Sequence, residues 1–250
     1  MVDRLKADDR LVLEHVARYR MTTPAILAAA LEESESDAAS ILAKLAAAGW
    51  LAAQPLDLTG AMGKCYHLSE RATVKCNVNP QLAKPLRHDA RVERYAIATF
   101  CCCSDSFRRV FTRDEFIARF SHLWYPGQPL QYYLESSELK RPKLGFLKVD
   151  HGGSGRWDRL IDSCMRFLRQ RTEVDRVAPH HRPQTEAFAQ LVNRGHFQIS
   201  VLTSLPEKQR AIDLELERRR ATQQACPPIR TYVVPGLFDV MFPVPSMATV

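Results

Sequence analysis

Two lysines and an aspartate, Lys143, Lys148 and Asp150, fall within eight residues in Arg141-Pro142-Lys143-Leu144-Gly145-Phe146-Leu147-Lys148-Val149-Asp150-His151-Gly152-Gly153. Hard divalent cations are held by carboxylate and carbonyl oxygens, so ammonium groups at such a place repel a metal. They attract phosphate instead, or pair with Asp150, Glu135 or Glu138. An anion-binding pocket and a solvated sheet edge both fit the pattern. Five arginines, Arg156, Arg159, Arg166, Arg169 and Arg171, lie on or beside one predicted helix. The 156/159 and 166/169 pairs share faces, making a stripe that can follow phosphates. Arg218-Arg219-Arg220 ends another predicted helix, where cations suit the negative end of the dipole. It reads as a solvated terminus or as a DNA-backbone contact. His180-His181 has no carboxylates at helical spacing and reads as a solvated loop rather than a metal site. The sequence contains no Ser/His/Asp elbow, no Walker loop and no G-x-G-x-x-G. Nucleotide hydrolysis and dinucleotide binding are therefore unsupported, and no catalytic residue, cofactor or metal is expected.

The elements that must carry these residues follow from periodicity and capping. Leu5, Val12, Leu13, Val16 and Tyr19 recur at helical spacing and predict a helix over 4–20. Thr23 as N-cap and Pro24 at the first turn open a second helix through 25–31. Ser36 reads as the N-cap of a third helix over 37–48, with Ile41, Leu42 and Leu45 inward and Gly49 stopping it. Strands follow at 50–53 and 65–68, joined through 56–58 and the turn 59–64. Beyond the loop Asn77-Val78-Asn79-Pro80 come a helix over 88–103 and the capping box Thr112/Glu115, which opens a short helix to Phe120. Strands at 131–135 and 144–150, a helix at 157–171, a strand at 197–203, a helix at 206–221 capped by Ser204 and a strand at 229–234 complete the chain. The order ββαβαβ implies a mixed sheet with helices packed on it, and the chain as a whole is α+β.

Composition bounds the class. The 250 residues are 46% hydrophobic and 25% charged, values that exclude disorder and fibrous repeats. No run approaches the roughly 18 uncharged apolar residues that span a bilayer. The opening MVDRLKADDR alternates charge without an apolar stretch, so no secretory signal is expected and the protein is expected in the cytoplasm. Seven cysteines, an odd number with no C-x-x-C pair, read as reduced apolar filler, the Cys101-Cys102-Cys103 run included. The net charge of +7 is uneven: residues 1–75 carry nine Lys+Arg and ten Asp+Glu, whereas 76–250 carry 26 and 18.

Three helices, Gly49-Trp50, a strand, a glycine turn and a strand make an order that resembles the winged helix-turn-helix of bacterial regulators. The resemblance implies a third helix in the major groove and a hairpin tip at the backbone or minor groove. Carried over by position, Ser36, Asp37, Ser40, Lys44 and Ala47 face DNA, Lys64 sits in the wing, and Thr22 and Thr23 hold phosphates at the second helix's amino end. The third helix has no arginine, a thin set for reading bases. A helix opening His88-Asp89-Ala90-Arg91-Val92, followed by the Arg141–Gly152 stretch, resembles the plasmid replication-relaxation family over roughly residues 10–235. The second domain of that family is similar to the PD-(D/E)xK, restriction-endonuclease-like fold. The family's strand pair usually reads Arg-Pro-Asp and Glu-x-Asp-x-Gly. Here Lys143 stands for the first Asp and Lys148 for the Glu, leaving Asp150 and Gly152-Gly153 in a degenerate nuclease site with the lysines on adjacent strands.

The implied organisation is a winged helix-turn-helix domain at 1–76, a helical connector at 77–125 and a nuclease-like α/β domain at 126–250. The implied function is a DNA-binding transcriptional regulator, by default a repressor, of a plasmid or an integrative and conjugative element. Its expected partners are double-stranded operator DNA, a second copy in a homodimer, and an effector, small molecule or protein, but no membrane. Two readings compete. One is a metal-dependent DNA nuclease or relaxation factor with Asp150 and Glu135 as ligands. The other is an interaction module of a replication complex.

Overall fold

The computed structural model describes residues 6–58, 61–129, 131–137, 140–152, 157–222 and 228–242. They form two compact units of mixed α+β structure. The chain up to Ser104 and the segment from Pro235 make the first, and Asp105–Val234 makes the second.

In the first unit, α1 (Ala7–Tyr19) buries Val12, Leu13, Val16 and Tyr19 along one stripe. The expected start at Arg4 lies outside the described residues. α2 (Pro24–Leu31) starts as its sequence dictates: Thr23 Oγ1 accepts from the Ile26 amide at 3.2 Å, with Pro24 in the first turn. α3 (Glu35–Ala47) starts two residues earlier than expected, because Ser34 and not Ser36 accepts from the Asp37 amide. Gly49, at φ +75°, ends it. β1 (Leu51–Leu58) and β2 (Ala61–Leu68) pair antiparallel in unbroken register from Leu51↔Leu68 to Leu58↔Ala61. The expected strands are thus only the outer parts of a longer hairpin. Pro55 is tolerated inside β1 because this is a two-stranded ribbon with an outer edge. Thr22 adds a third, one-residue rung, exchanging both backbone hydrogen bonds with Tyr66 at 3.0 and 2.9 Å. α4 (Glu70–Lys75), capped by Ser69, was not apparent from periodicity.

The expected boundary at 76/77 does not separate compact units. α5 (His88–Cys102) buries Val92, Tyr95 through Phe100 and Cys101, and it packs on α1, α2 and α10 (Leu237–Met241). The presumed connector helix is therefore interior to the first unit. The chain's last described helix returns to it, with Tyr95 donating to the Pro235 carbonyl at 3.0 Å.

The second unit runs β3 (Phe107–Val110), α6 (Arg113–Phe120), β4 (Tyr132–Ser137), β5 (Lys140–Val149), α7 (Trp157–Thr172), α8 (Arg182–Asn193), β6 (Phe197–Thr203), α9 (Pro206–Ala221) and β7 (Ile229–Val233). The strands form one sheet in the order β3-β4-β5-β6-β7. Pairing is antiparallel from β3 to β5 and parallel from β5 to β7. The capping box at Thr112 and Glu115 forms as the sequence dictates. β3 and α8 were not expected, and the cap assigned to Ser204 is absent: α9 is preceded by Leu205, and the buried Ser204 hydroxyl has no partner. Leu144, Phe146, Phe197, Ile199, Val201 and Ile229 meet Ile161, Leu168, Phe188, Ile212 and Leu216 of the helices in one core.

The other sheet face carries a polar chain. Arg108 pairs with Glu135 at 3.1 Å, Gln198 donates to Glu135 and to the Tyr133 hydroxyl, and that hydroxyl lies 2.6 Å from Ser200 Oγ. The Tyr133 ring lies across Gly145, where an added Cβ would stand 1.9 Å from its Cε1. Replacing Gly145 with Ala is therefore expected to cost about 3 kcal/mol in urea unfolding by overpacking. Combined with Tyr133→Ala, its cost should be smaller than in the unaltered chain, because the ring that the new methyl strikes is then gone.

Candidate nucleic-acid interface

The first unit places the expected DNA-facing residues unevenly. Ser36, Asp37, Ser40, Lys44 and Ala47 are all exposed on α3, and Lys64 is exposed on β2. Lys44, 60% exposed, is drawn back to α1, its Nζ 3.2 Å from Asp9 Oδ1. Glu35 and Asp37 stand in the first turn of α3, where they suit the dipole but oppose an approaching phosphate. Thr22 and Thr23 are corrected outright. Both are buried, at 0% and 6% exposure. The Thr22 hydroxyl is 3.1 Å from His15 Nε2, and that of Thr23 caps α2. Neither hydroxyl reaches solvent to hold a phosphate.

The structure also separates the proposed degenerate triad. Lys143 and Lys148 lie on one strand, β5, rather than on adjacent strands. Five residues apart, they point to opposite faces, because side chains alternate along a strand. Lys143 stands opposite Glu135 in the register of β4. Lys148 is on the helical side, lining a groove of about 220 Å³ with Gln131, Ser163, Cys164, Arg166 and Gln170. Asp150 follows the end of β5, where Lys208 of α9 pairs with it at 2.8 Å and the Gly152 amide donates to it at 3.1 Å. Lys208 was not anticipated: it comes from the first turns of a helix 58 residues downstream, and no local spacing announces it.

The same helical side carries the arginines. α7 turns Ile161, Cys164, Leu168 and Arg171 inward. Arg159, Arg166 and Arg169 are exposed on the opposite side. Arg159 and Arg166 are seven residues apart and Arg166 and Arg169 three, so all three lie along one face over about 15 Å of helix. Among the described residues no carboxylate pairs with any of them. Asp162, which falls within the stripe, is taken by Arg219 of α9 at 2.8 Å. Arg219 also bonds Glu215, as does Arg218, and these hydrogen bonds hold the Glu215 carboxyl down to about 2. Of the expected stripe, Arg171 is corrected to the interior and Arg156 lies outside the described residues. The Arg218-Arg219-Arg220 run is likewise divided, Arg218 and Arg219 being paired and Arg220 exposed.

Cys164 beside Lys148 is no nucleophile. Burial pushes its thiol up to about 12 despite the nearby ammonium, and burial likewise raises Cys65 and Cys102. Reactive thiols need the opposite shift. Among the described residues no three His, Cys, Asp or Glu side chains converge on a position for a metal. No helix among the described residues is long and apolar enough to cross a membrane. No protein-family model, curated protein or solved structure matches this sequence.

His15, tied to Thr22, makes the first unit acid-sensitive. Burial, aided by Arg18, lowers its pKa to about 4. The neutral imidazole is thus favoured in the folded state, and between pH 6.5 and 4 the unfolded chain takes up a proton that the folded one refuses. Lowering the pH from 7 to 4.5 should cost about 2 kcal/mol in urea unfolding through this group. His15→Gln should flatten that dependence.

Proposed function

We propose that this chain is a double-stranded DNA-binding regulator in which the second unit supplies most of the phosphate contacts and the first selects sequence. The observation that carries the reading is the unpaired guanidinium row of Arg159, Arg166 and Arg169 on the exposed face of α7. The partition of charge supports it. The first unit has 13 Lys+Arg and 13 Asp+Glu, and the second has 22 and 15, so the whole net charge of +7 belongs to the second. Duplex DNA presents one charge per about 1.7 Å of axis, and a row of arginines about 15 Å long spans several of them.

The helix order of the first unit, its hairpin and the Thr22 rung are compatible with a winged helix. With Ser36, Ser40, Lys44 and Ala47 on its outer face, α3 offers little bidentate hydrogen bonding to base edges. Sequence preference is therefore expected to be modest and affinity strongly salt-dependent. Repression by occupancy of an operator is the mode this reading carries.

Hydrolysis with Asp150 and Glu135 as metal ligands is opposed by geometry. Glu135 pairs across β5 with Lys143, so Asp150 stands seven residues further along, roughly 23 Å away. Both carboxylates are already engaged, one by Lys208 and the other by Arg108 and Gln198.

Fluorescence anisotropy on labelled duplexes across 50–300 mM salt tests the proposal. Replacing Arg159, Arg166 and Arg169 together by Ala should reduce the slope of log K against log salt by about 2 to 3 and weaken binding to all sequences alike. An unchanged slope, or no duplex binding by the unaltered chain at low salt, overturns it.

A further inference from the structure

A lysine half-buried beside a helix calls for a counter-ion, and Lys148 has none among the described residues. It follows Phe146 by two residues on β5, so its stem leaves the strand on the helical side, where that ring enters the core. No hydrogen bond or ion pair holds it there. Its ammonium still reaches solvent, for it is not one of the buried side-chain atoms that lack a partner. The chargeable groups around it are spent or neutral. Asp150, two residues on, is held by Lys208, and Asp162 of α7 is held by Arg219. Cys164, near enough to feel the ammonium, has its thiol pushed up to about 12 by burial and stays uncharged.

Lys148 lines a groove of about 220 Å³, which is on the order of seven waters' share of liquid volume. Ser163, Arg166, Phe167 and Gln170 line it from α7, at the i, i+3, i+4 and i+7 positions of one helix face. Phe146 of β5 and Ile199 of β6 supply apolar wall, and among the described residues no carboxylate lines the groove. The idle donors are within reach of solvent. Arg166 and Gln170 are exposed and Ser163 is partly so, and none of the three has a partner among the described residues. A strand and a helix thus bring donors to one concavity that holds two positive charges and no negative one.

We propose that this groove holds one phosphate group, gripped by Lys148 from the sheet and by Arg166 from α7, with Ser163 and Gln170 donating to the remaining oxygens. A tetrahedral oxyanion accepts from several directions, as donors set on two elements require, whereas a planar carboxylate is best met by parallel donors from one side. The apolar wall lowers the local dielectric and strengthens both charge contacts. Arg166 is also the middle member of the exposed arginine row, so a DNA strand that follows the row brings a phosphate to the groove's mouth. That the phosphate belongs to DNA rests on the function proposed above; the groove's preference for phosphate does not. Lys148 is then a phosphate-binding residue set apart from the row, and Lys143, on the opposite face of the sheet, takes no part.

The test uses the full chain with inorganic phosphate, thymidine 5′-monophosphate, acetate and chloride at matched ionic strength. Binding is followed by thermal shift and by the side-chain Cε resonance of Lys148. Phosphate and the mononucleotide should stabilise saturably, at least tenfold more tightly than acetate or chloride, and should move that resonance. Lys148→Met, which keeps the stem and removes the charge, should weaken phosphate at least tenfold, and Lys148→Arg should restore most of the loss. On duplex DNA, Lys148→Met should lower the slope of log K against log salt by about 1. Phosphate binding that is lost in Lys148→Met while the duplex slope stays unchanged supports the site and makes its ligand a free phosphate. Phosphate binding without any duplex binding by the unaltered chain removes the DNA reading alone. Phosphate held no more tightly than acetate overturns the proposal, whatever the duplex does. So does phosphate binding indifferent to Lys148→Met, or an unmoved Lys148 resonance, which keeps the test decisive if that variant does not fold.

Discussion

The second unit depends on the place where an aromatic ring occupies a side chain's space. Tyr133 of β4 lies over Gly145 of β5, and only a missing Cβ lets it lie flat enough for its hydroxyl to reach Ser200 and Gln198 of β6. That reach joins strands of opposite direction, because β5 is antiparallel to β4 and parallel to β6. Gln198 carries the connection on to Glu135, and Glu135 carries it to Arg108 at the β3 edge. Buried polar chains of this kind hold register more than they add net stability, since each unmade bond costs more than a made one gains. With the register held, alternation decides the rest: Leu144 and Phe146 enter the helical core, Lys148 borders the groove beside α7, and Lys143 goes to the other face.

Much of this was legible in the residues and some was not, for identifiable reasons. Caps are local, so Thr23 with Pro24 and Thr112 with Glu115 marked helix starts correctly. Ser34 and Ser36 stand two residues apart and either type can cap, so it is the amide hydrogen bond from Asp37 to Ser34 that fixes the start of α3. Pro55 and Gly63 are poor strand residues, yet neither interrupts a free-edged ribbon, so the hairpin runs longer than the expected strands. α8 follows the His180-His181 loop directly, and the four residues of β3 carry little periodicity.

The candidate site shows the same limit. Arginines at helical spacing identified α7 as the basic element, but spacing alone could not say that Arg171 turns inward while Arg166 and Arg169 remain outside. The family resemblance set Lys143 and Lys148 on adjacent strands as stand-ins for two acids, whereas both lie on β5. An odd spacing on one strand makes near neighbours the least able to cooperate. Lys208, by contrast, reaches Asp150 through tertiary packing alone.

The return of the chain to the first unit has a consequence in time. β1, β2 and α5 leave the ribosome early, but α10, which packs on both β1 and α5, emerges only after the 130 residues of the second unit. The second unit, contiguous in sequence, can close as soon as β7 is made, and domains generally fold as units during synthesis. The portion synthesised first is therefore the one completed last. Until α10 docks, the apolar faces it will cover wait for a partner that has not yet been translated.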